Sequence, residues 1–138
     1  MSKKPGPPNT AGSGPTRLRQ IALVARDLGK AKGLLTYIIG TEVIYVDPAV
    51  GQWGLENILV AIGGEVIEVV SPKQQGTTAG RLLDKRGDGG YMIIMQTGDA
   101  KKRKEYIVEQ QLAKVIWEHE SEDSVCVQYH PKGIRGES

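Results

Sequence analysis

The stretch Gln20-Ile21-Ala22-Leu23-Val24-Ala25-Arg26-Asp27 returns 72 positions later as Met92-Ile93-Ile94-Met95-Gln96-Thr97-Gly98-Asp99. Each copy is a largely apolar run rich in strand-forming residues, closed by an aspartate suited to cap a helix. After the first cap, Leu28, Ala31, Leu34, Leu35 and Ile38 recur at helical spacing, and Gly40 ends the helix. The same shift lays Val43, Ile44 and Tyr45 on Val115, Ile116 and Trp117, so the strand after the helix is repeated too. Beyond the next loop the offset shortens to 69, which pairs Ile58 with Val127, Gly64 with Gly133 and Glu68 with Glu137.

Working outward, the first copy reads as strand 18–25, helix from Asp27, strand 42–46, loop 47–54, strand 55–62, a Gly63-Gly64 turn and strand 65–70, closed by Pro72. This is β-α-β-β-β. The second copy has strands over 91–97, 115–118 and 125–129, with a helix capped by Asp99 that carries Tyr106 and Ile107, and it runs out at Ser138 with a short last strand. One such module leaves a sheet face uncovered, so two are expected to complete each other. The predicted fold is therefore α+β: two βαβββ modules forming one eight-stranded curved mixed sheet around a cup, with helices outside.

The expected organisation is a disordered tail over 1–16, a module over 17–72, a connector over 73–90 with at most a helical turn, and a module over 91–138 whose last strand is truncated. The tail holds Pro5, Pro7, Pro8 and Pro15 with almost nothing apolar, and cannot repay the entropy of ordering. The Arg86-Gly87-Asp88 triplet in the connector reads as a turn.

At 138 residues, 39% hydrophobic and 25% charged, the chain suits one soluble domain, and with no Phe its core must be aliphatic. A net charge of +2, with basic residues scattered apart from Lys101, Lys102, Arg103 and Lys104, does not indicate a nucleic-acid partner. That basic run reads as the solvated face of a helix. No apolar stretch approaches bilayer length, so no membrane partner is expected. A single cysteine, Cys126, excludes an internal disulfide, fits a reducing, cytoplasmic setting and is expected to be a buried, inert thiol.

Three segments carry a resemblance to a known family. Gln20 to Asp27 looks like an opening strand in which a His or Gln ligand precedes alternating apolar residues and a helix-capping Asp. Ile67-Glu68-Val69-Val70-Ser71-Pro72 is similar to an I-E-L-x-x-P strand, and Val127-Gln128-Tyr129-His130-Pro131-Lys132-Gly133 to an F-x-D-P-D-G turn with a glutamate four residues beyond its glycine. With these motifs in this order, residues 17–138 resemble the vicinal oxygen chelate superfamily, the group of glyoxalase I, methylmalonyl-CoA epimerase, extradiol dioxygenases and bleomycin-resistance proteins.

The resemblance implies a divalent metal on the inner face of the sheet, held by the first and last strands of each module. Those positions here are Gln20, Glu68, Met92 and Glu137. Gln20, Glu68 and Glu137 are oxygen ligands suited to Mn, Mg, Ni or Zn, whereas the Met92 thioether is neutral and soft where the family has His. Glu68 and Glu137 are the implied catalytic carboxylates, and Met92, Tyr45, Trp53 and Trp117 the implied lining of a substrate cup. The pleat supports Glu68: if it points inward, Val66 and Val70 share its face while Ile67 and Val69 meet the helices. His119 and His130 read as surface histidines.

The leading expectation is a metal-dependent lyase or isomerase of a small oxygen-rich molecule, working as a homodimer. Two other readings fit the same residues. One is a metal-free protein that binds or sequesters a small molecule, which Met92 favours; the other is a non-catalytic dimerisation module.

Overall fold

The structure is a computed structural model that describes residues 16–130. The chain divides into two compact units, Arg17–Gln96 and a second that takes up the chain from Thr97. In the first, β1 (Arg17–Val24), β2 (Val43–Tyr45), β3 (Leu55–Ile62), β4 (Glu65–Pro72) and β5 (Gly89–Gln96) form one mixed sheet in the order β2-β3-β4-β1-β5. β1 runs parallel to β4 and antiparallel to β5. In the second, β6 (Val115–Glu120) and β7 (Val125–Tyr129) pair antiparallel. The fold is α+β, with the order of elements that the repeat predicts. Glu137 and the expected last strand lie outside the described residues, as does most of the tail.

The repeat is visible in the element boundaries. Adding 72 to Arg17 and Val24, the ends of β1, gives Gly89 and Gln96, the ends of β5, and the starts of β2 and β6 correspond in the same way. The two caps are also alike. Asp27 accepts the Lys30 N–H at 3.0 Å and Asp99 the Lys102 N–H at 3.0 Å, each satisfying an otherwise orphaned donor of a first helical turn. The unit boundary nevertheless falls after β5, because β5 completes its ladder against β1.

Two clusters cover the two faces of the five-stranded sheet. On the Ile67 and Val69 side, α1 (Leu28–Gly33) continues into a π-helical turn (Leu34–Ile38) and packs Leu35 against Ala25, Ile58, Val60 and Val69. On the Glu68 side, Ala79 and Leu83 of α2 (Thr78–Arg86) pack against Val24, Leu55 and Val70. The pleat thus divides β4 as expected. The nine-residue α2 is more than the helical turn predicted for the connector: Thr77 caps it through the Gly80 N–H, and Ala79 and Leu83 face the sheet four residues apart. It ends at Gly87, whose φ of 76° suits glycine, and Asp88 accepts the Arg26 backbone N–H.

In the second unit α3 (Ala100–Glu109) carries the basic run, where Lys101 pairs with Glu120 and Lys104 with Glu118. Cys126 corrects an expectation. It is exposed, because it alternates with Val125 and Val127 and looks out opposite the exposed His119. Among the described residues no helix is long and apolar enough to cross a membrane.

Candidate functional site

The strand registers set five residues in one lateral row across the first unit's sheet. Tyr45 stands opposite Leu59, Leu59 opposite Glu68, Glu68 opposite Ala22, and Ala22 opposite Met92. Paired residues point to the same face of a sheet, so Tyr45, Glu68 and Met92 share one. Gln20, two residues before Ala22, lies on that face as well. The structure therefore places Gln20, Glu68 and Met92 on a common surface. Trp53 is half-exposed at the end of a 3-10 helix (Pro48–Trp53) in this unit. Trp117 belongs to the second unit, where its ring stacks on His119.

The Glu68 carboxylate sits between two amides. Gln20 Nε2 donates to Oε1 at 2.7 Å and Asn57 Nδ2 donates to Oε2 at 2.6 Å. Asn57 is only 2% exposed, and its Oδ1 accepts the backbone N–H of Asp47 at 2.9 Å. Among the described residues Glu68 forms no salt bridge. Two neutral donors hold the carboxylate in place without cancelling its charge, unlike the cation that usually accompanies a half-buried acid.

Tyr91 is a titratable group that feels the Glu68 charge. The ladder slips between Ala22 and Leu23, which oppose Met92 and Gly90, so Tyr91 is the extra residue of a bulge. It packs with the α2 cluster on the Glu68 face. Burial pushes its phenol above the ordinary value of 10.0, and the Glu68 charge pushes it further in the same direction. A cavity of about 300 Å³ opens beside Asn57, lined also by Val46, Asp47, Val50, Leu55 and Lys73, large enough for a small metabolite.

Asn57 and Tyr91 are absent from the residues singled out by sequence. Asn57 shares one face of β3 with Leu55, Leu59 and Ala61, and the ladder puts that face on the Glu68 side of the sheet, so the period of two finds it once the register is known. The bulge that turns Tyr91 has no comparable signature.

Three of the four ligand positions implied by resemblance fall among the described residues. Gln20 and Glu68 come together. Met92 stands two strands from Glu68, roughly 10 Å by ordinary strand spacing, and offers a soft thioether. Both Glu68 oxygens already receive amide N–H groups, and no group of three His, Cys, Asp or Glu able to hold a metal occurs among the described residues. One carboxylate, one amide oxygen and a distant thioether do not fit Mn, Mg, Ni or Zn.

No protein-family model matches the sequence, and no curated protein does. Solved structures match the fold. Methylmalonyl-CoA epimerase from Mycobacterium tuberculosis aligns over 85% of this chain and 80% of its own, with 18% identity and a TM-score of 0.74. A methylmalonyl-CoA epimerase in complex with methylmalonyl-CoA and NH4+ aligns over 86% and 87%, with 22% identity and a TM-score of 0.74. A Streptomyces coelicolor methylmalonyl-CoA epimerase variant in complex with 2-nitronate-propionyl-CoA aligns over 85% and 89%, with 20% identity and a TM-score of 0.74. The chain shares the fold of these epimerases, a glyoxalase-like fold.

Proposed function

We propose that the chain is a glyoxalase-like isomerase of a small oxygen-rich molecule and that Glu68 moves the proton. The observation that carries this reading is the carboxylate held by two neutral amides, Gln20 and Asn57, with no cation paired to it among the described residues. Such a group is fixed in direction and has no paired cation to compete with a substrate. The reaction class is proton removal beside a carbonyl. The C–H proton passes to Glu68, the electron pair moves onto the carbonyl oxygen, and return of a proton to carbon restores the carbonyl. Tyr45 and Met92, in the Glu68 row, line the substrate surface, together with Trp53. No step is routed through a metal, because the described donors do not suit one.

The similarity of fold to the epimerases makes methylmalonyl-CoA the first substrate to try, since its C–H lies between two carbonyl groups. In deuterium oxide, the protein should carry deuterium into that position, read by mass spectrometry. Glu68→Gln should reduce the rate at least a hundredfold, within the usual range for a general base. A wild-type rate no faster than buffer refutes the epimerase assignment.

A second reading, a metal-free binding protein, is favoured by Met92 and by the occupied Glu68 oxygens. It predicts no exchange, together with ligand-induced thermal stabilisation that a chelator leaves unchanged. We assign the chain to the cytoplasm, as a homodimer formed through exposed apolar side chains such as Tyr37, Ile38 and Ile44. Sedimentation at a monomer's mass at micromolar concentration contradicts the dimer.

A further inference from the structure

We propose that Asn57 is the positioning residue of Glu68: it commits Oε2 as a buried acceptor and leaves Oε1, on the Gln20 side, as the oxygen that meets the ligand. This rests on the reading of Glu68 as the working carboxylate. The polarity of the contact follows from a backbone group. The Asp47 N–H can only donate, so the Asn57 side chain must turn its Oδ1 toward it. Nδ2 is then the atom left to face Glu68, and Oε2 can only accept. The direction of the Glu68 contact is thus set by the entry to the 3-10 helix, Pro48–Trp53, which begins just after Asp47.

The two amides around Glu68 differ in freedom. Asn57 is 2% exposed and pinned at both ends of its amide. Gln20 is less buried, and among the described residues its amide has Glu68 as its one hydrogen-bond partner. A ligand can displace or turn Gln20 at the cost of one hydrogen bond, whereas displacing Asn57 strands a buried amide and the Asp47 N–H together. Ligand traffic is therefore directed to Oε1. Once Gln20 Nε2 is spent on Glu68, its own Oε1 is a second acceptor beside that oxygen, so the ligand group that fits there presents an N–H, an O–H or an acidic C–H.

The test is a double-mutant cycle on the unliganded protein, read as the folding equilibrium from urea titrations. Asn57→Asp keeps an acceptor for the Asp47 N–H but sets two carboxylates face to face, and should lower the folding constant by about tenfold or more. In a Glu68→Gln background the new amide can donate to the new carboxylate while still accepting from Gln20. There Asn57→Asp should cost less than about threefold. Equal costs in the two backgrounds mean that Asn57 only fills space, and overturn the proposal. A second measurement holds if Asn57→Asp fails to fold. In the unaltered protein, one Asn57 side-chain amide proton should resonate downfield and exchange slowly with water, while the Gln20 amide exchanges faster; the opposite ranking overturns the proposal. Neither measurement uses a substrate, so failure of the deuterium-exchange assay leaves this result standing, and an additive cycle leaves that assay intact.

Discussion

Gln20 and Glu68 are joined by a 2.7 Å hydrogen bond, although the ladder sets neither opposite the other. Gln20 faces Val66 and Glu68 faces Ala22. The Gln20 side chain must lean along the strand to reach the carboxylate, and Ala22, buried and ending at Cβ, leaves it the room. Asn57 leans toward Glu68 in the same way from the other flank, since its ladder partner is Val70. Both contacts are diagonal, a separation that long side chains can span within one face.

Removing the carboxylate therefore has a predictable cost. Glu68→Ala leaves the buried Nδ2 of Asn57 with no acceptor, which should destabilise the protein by about 1–3 kcal/mol. Glu68→Gln keeps one acceptor oxygen for Asn57 Nδ2, and the less buried Gln20 can turn its own Oε1 toward the new amide N–H, so it should cost less. Urea titrations of the two variants decide it; an alanine variant as stable as the glutamine one means that the clamp contributes nothing.

Chelation makes a separate prediction. One carboxylate, one amide and a thioether at the described ligand positions predict a fold that draws no stability from a divalent ion. Overnight treatment with EDTA should leave the melting temperature unchanged, and added Mn, Ni or Zn should not raise it. A fall on chelation, reversed by one of these ions, shows that a metal completes the site.

These residues also show how far the sequence can be read. Glu68 stands out because a carboxylate inside Val66-Ile67-Glu68-Val69-Val70 calls for a partner, and the shift of 72 anticipates the caps at Asp27 and Asp99 and the matched starts of β2 and β6. Asn57, in Leu55-Glu56-Asn57-Ile58, looks like any polar residue of a half-exposed strand until Val70 and Leu59 fix its face. Tyr91 depends on a one-residue slip in the ladder, and residue types do not encode a slip. The helix α2 was obscured by Gly80, a weak helix former, although Thr77, Ala79 and Leu83 carry its cap and its buried face.

Tyr91 gives the site a signature in alkaline solution. Its phenol holds its proton to higher pH in the folded chain than in the unfolded one, where it ionises near 10.0, through burial first and the Glu68 charge second. The stabilisation is fully present below that ordinary value and is lost as pH rises through the higher folded pKa. Wild-type stability should fall above pH 10.0 more steeply than that of Tyr91→Phe. Tyr129, raised first by burial, still titrates in that variant, so some slope should remain. Identical slopes in urea titrations from pH 9 to about 11.5 contradict the assignment.

The helix α2 should matter to stability beyond its length. Leu83 is 2% exposed among Val24, Leu55, Val70 and Ala79, so Leu83→Ala opens a cavity in the cluster that also packs Tyr91. The expected cost is about 2–5 kcal/mol. The variant should also show increased quenching of tyrosine fluorescence by acrylamide as Tyr91 loses its cover. A cost below about 1 kcal/mol places Leu83 outside the core.

Gly54 links the loop to the site. It closes the 3-10 helix in the left-handed region at φ 73°, donates its N–H to Gly51 and accepts the Lys73 N–H at 2.8 Å. A Cβ here would also meet the Gln74 side chain at 2.7 Å, but that chain is flexible and can move, so the backbone conformation carries most of the penalty. Gly54→Ala should cost about 1 kcal/mol. Because the loop presents the Asp47 N–H that orients Asn57, the strain should pass into the site. Amide resonances of Asp47 and of the Asn57 side chain should shift in Gly54→Ala, while those of β1 outside Gln20 stay in place. Shifts confined to Gly51–Leu55 would mean that the loop and the Glu68 clamp are mechanically separate.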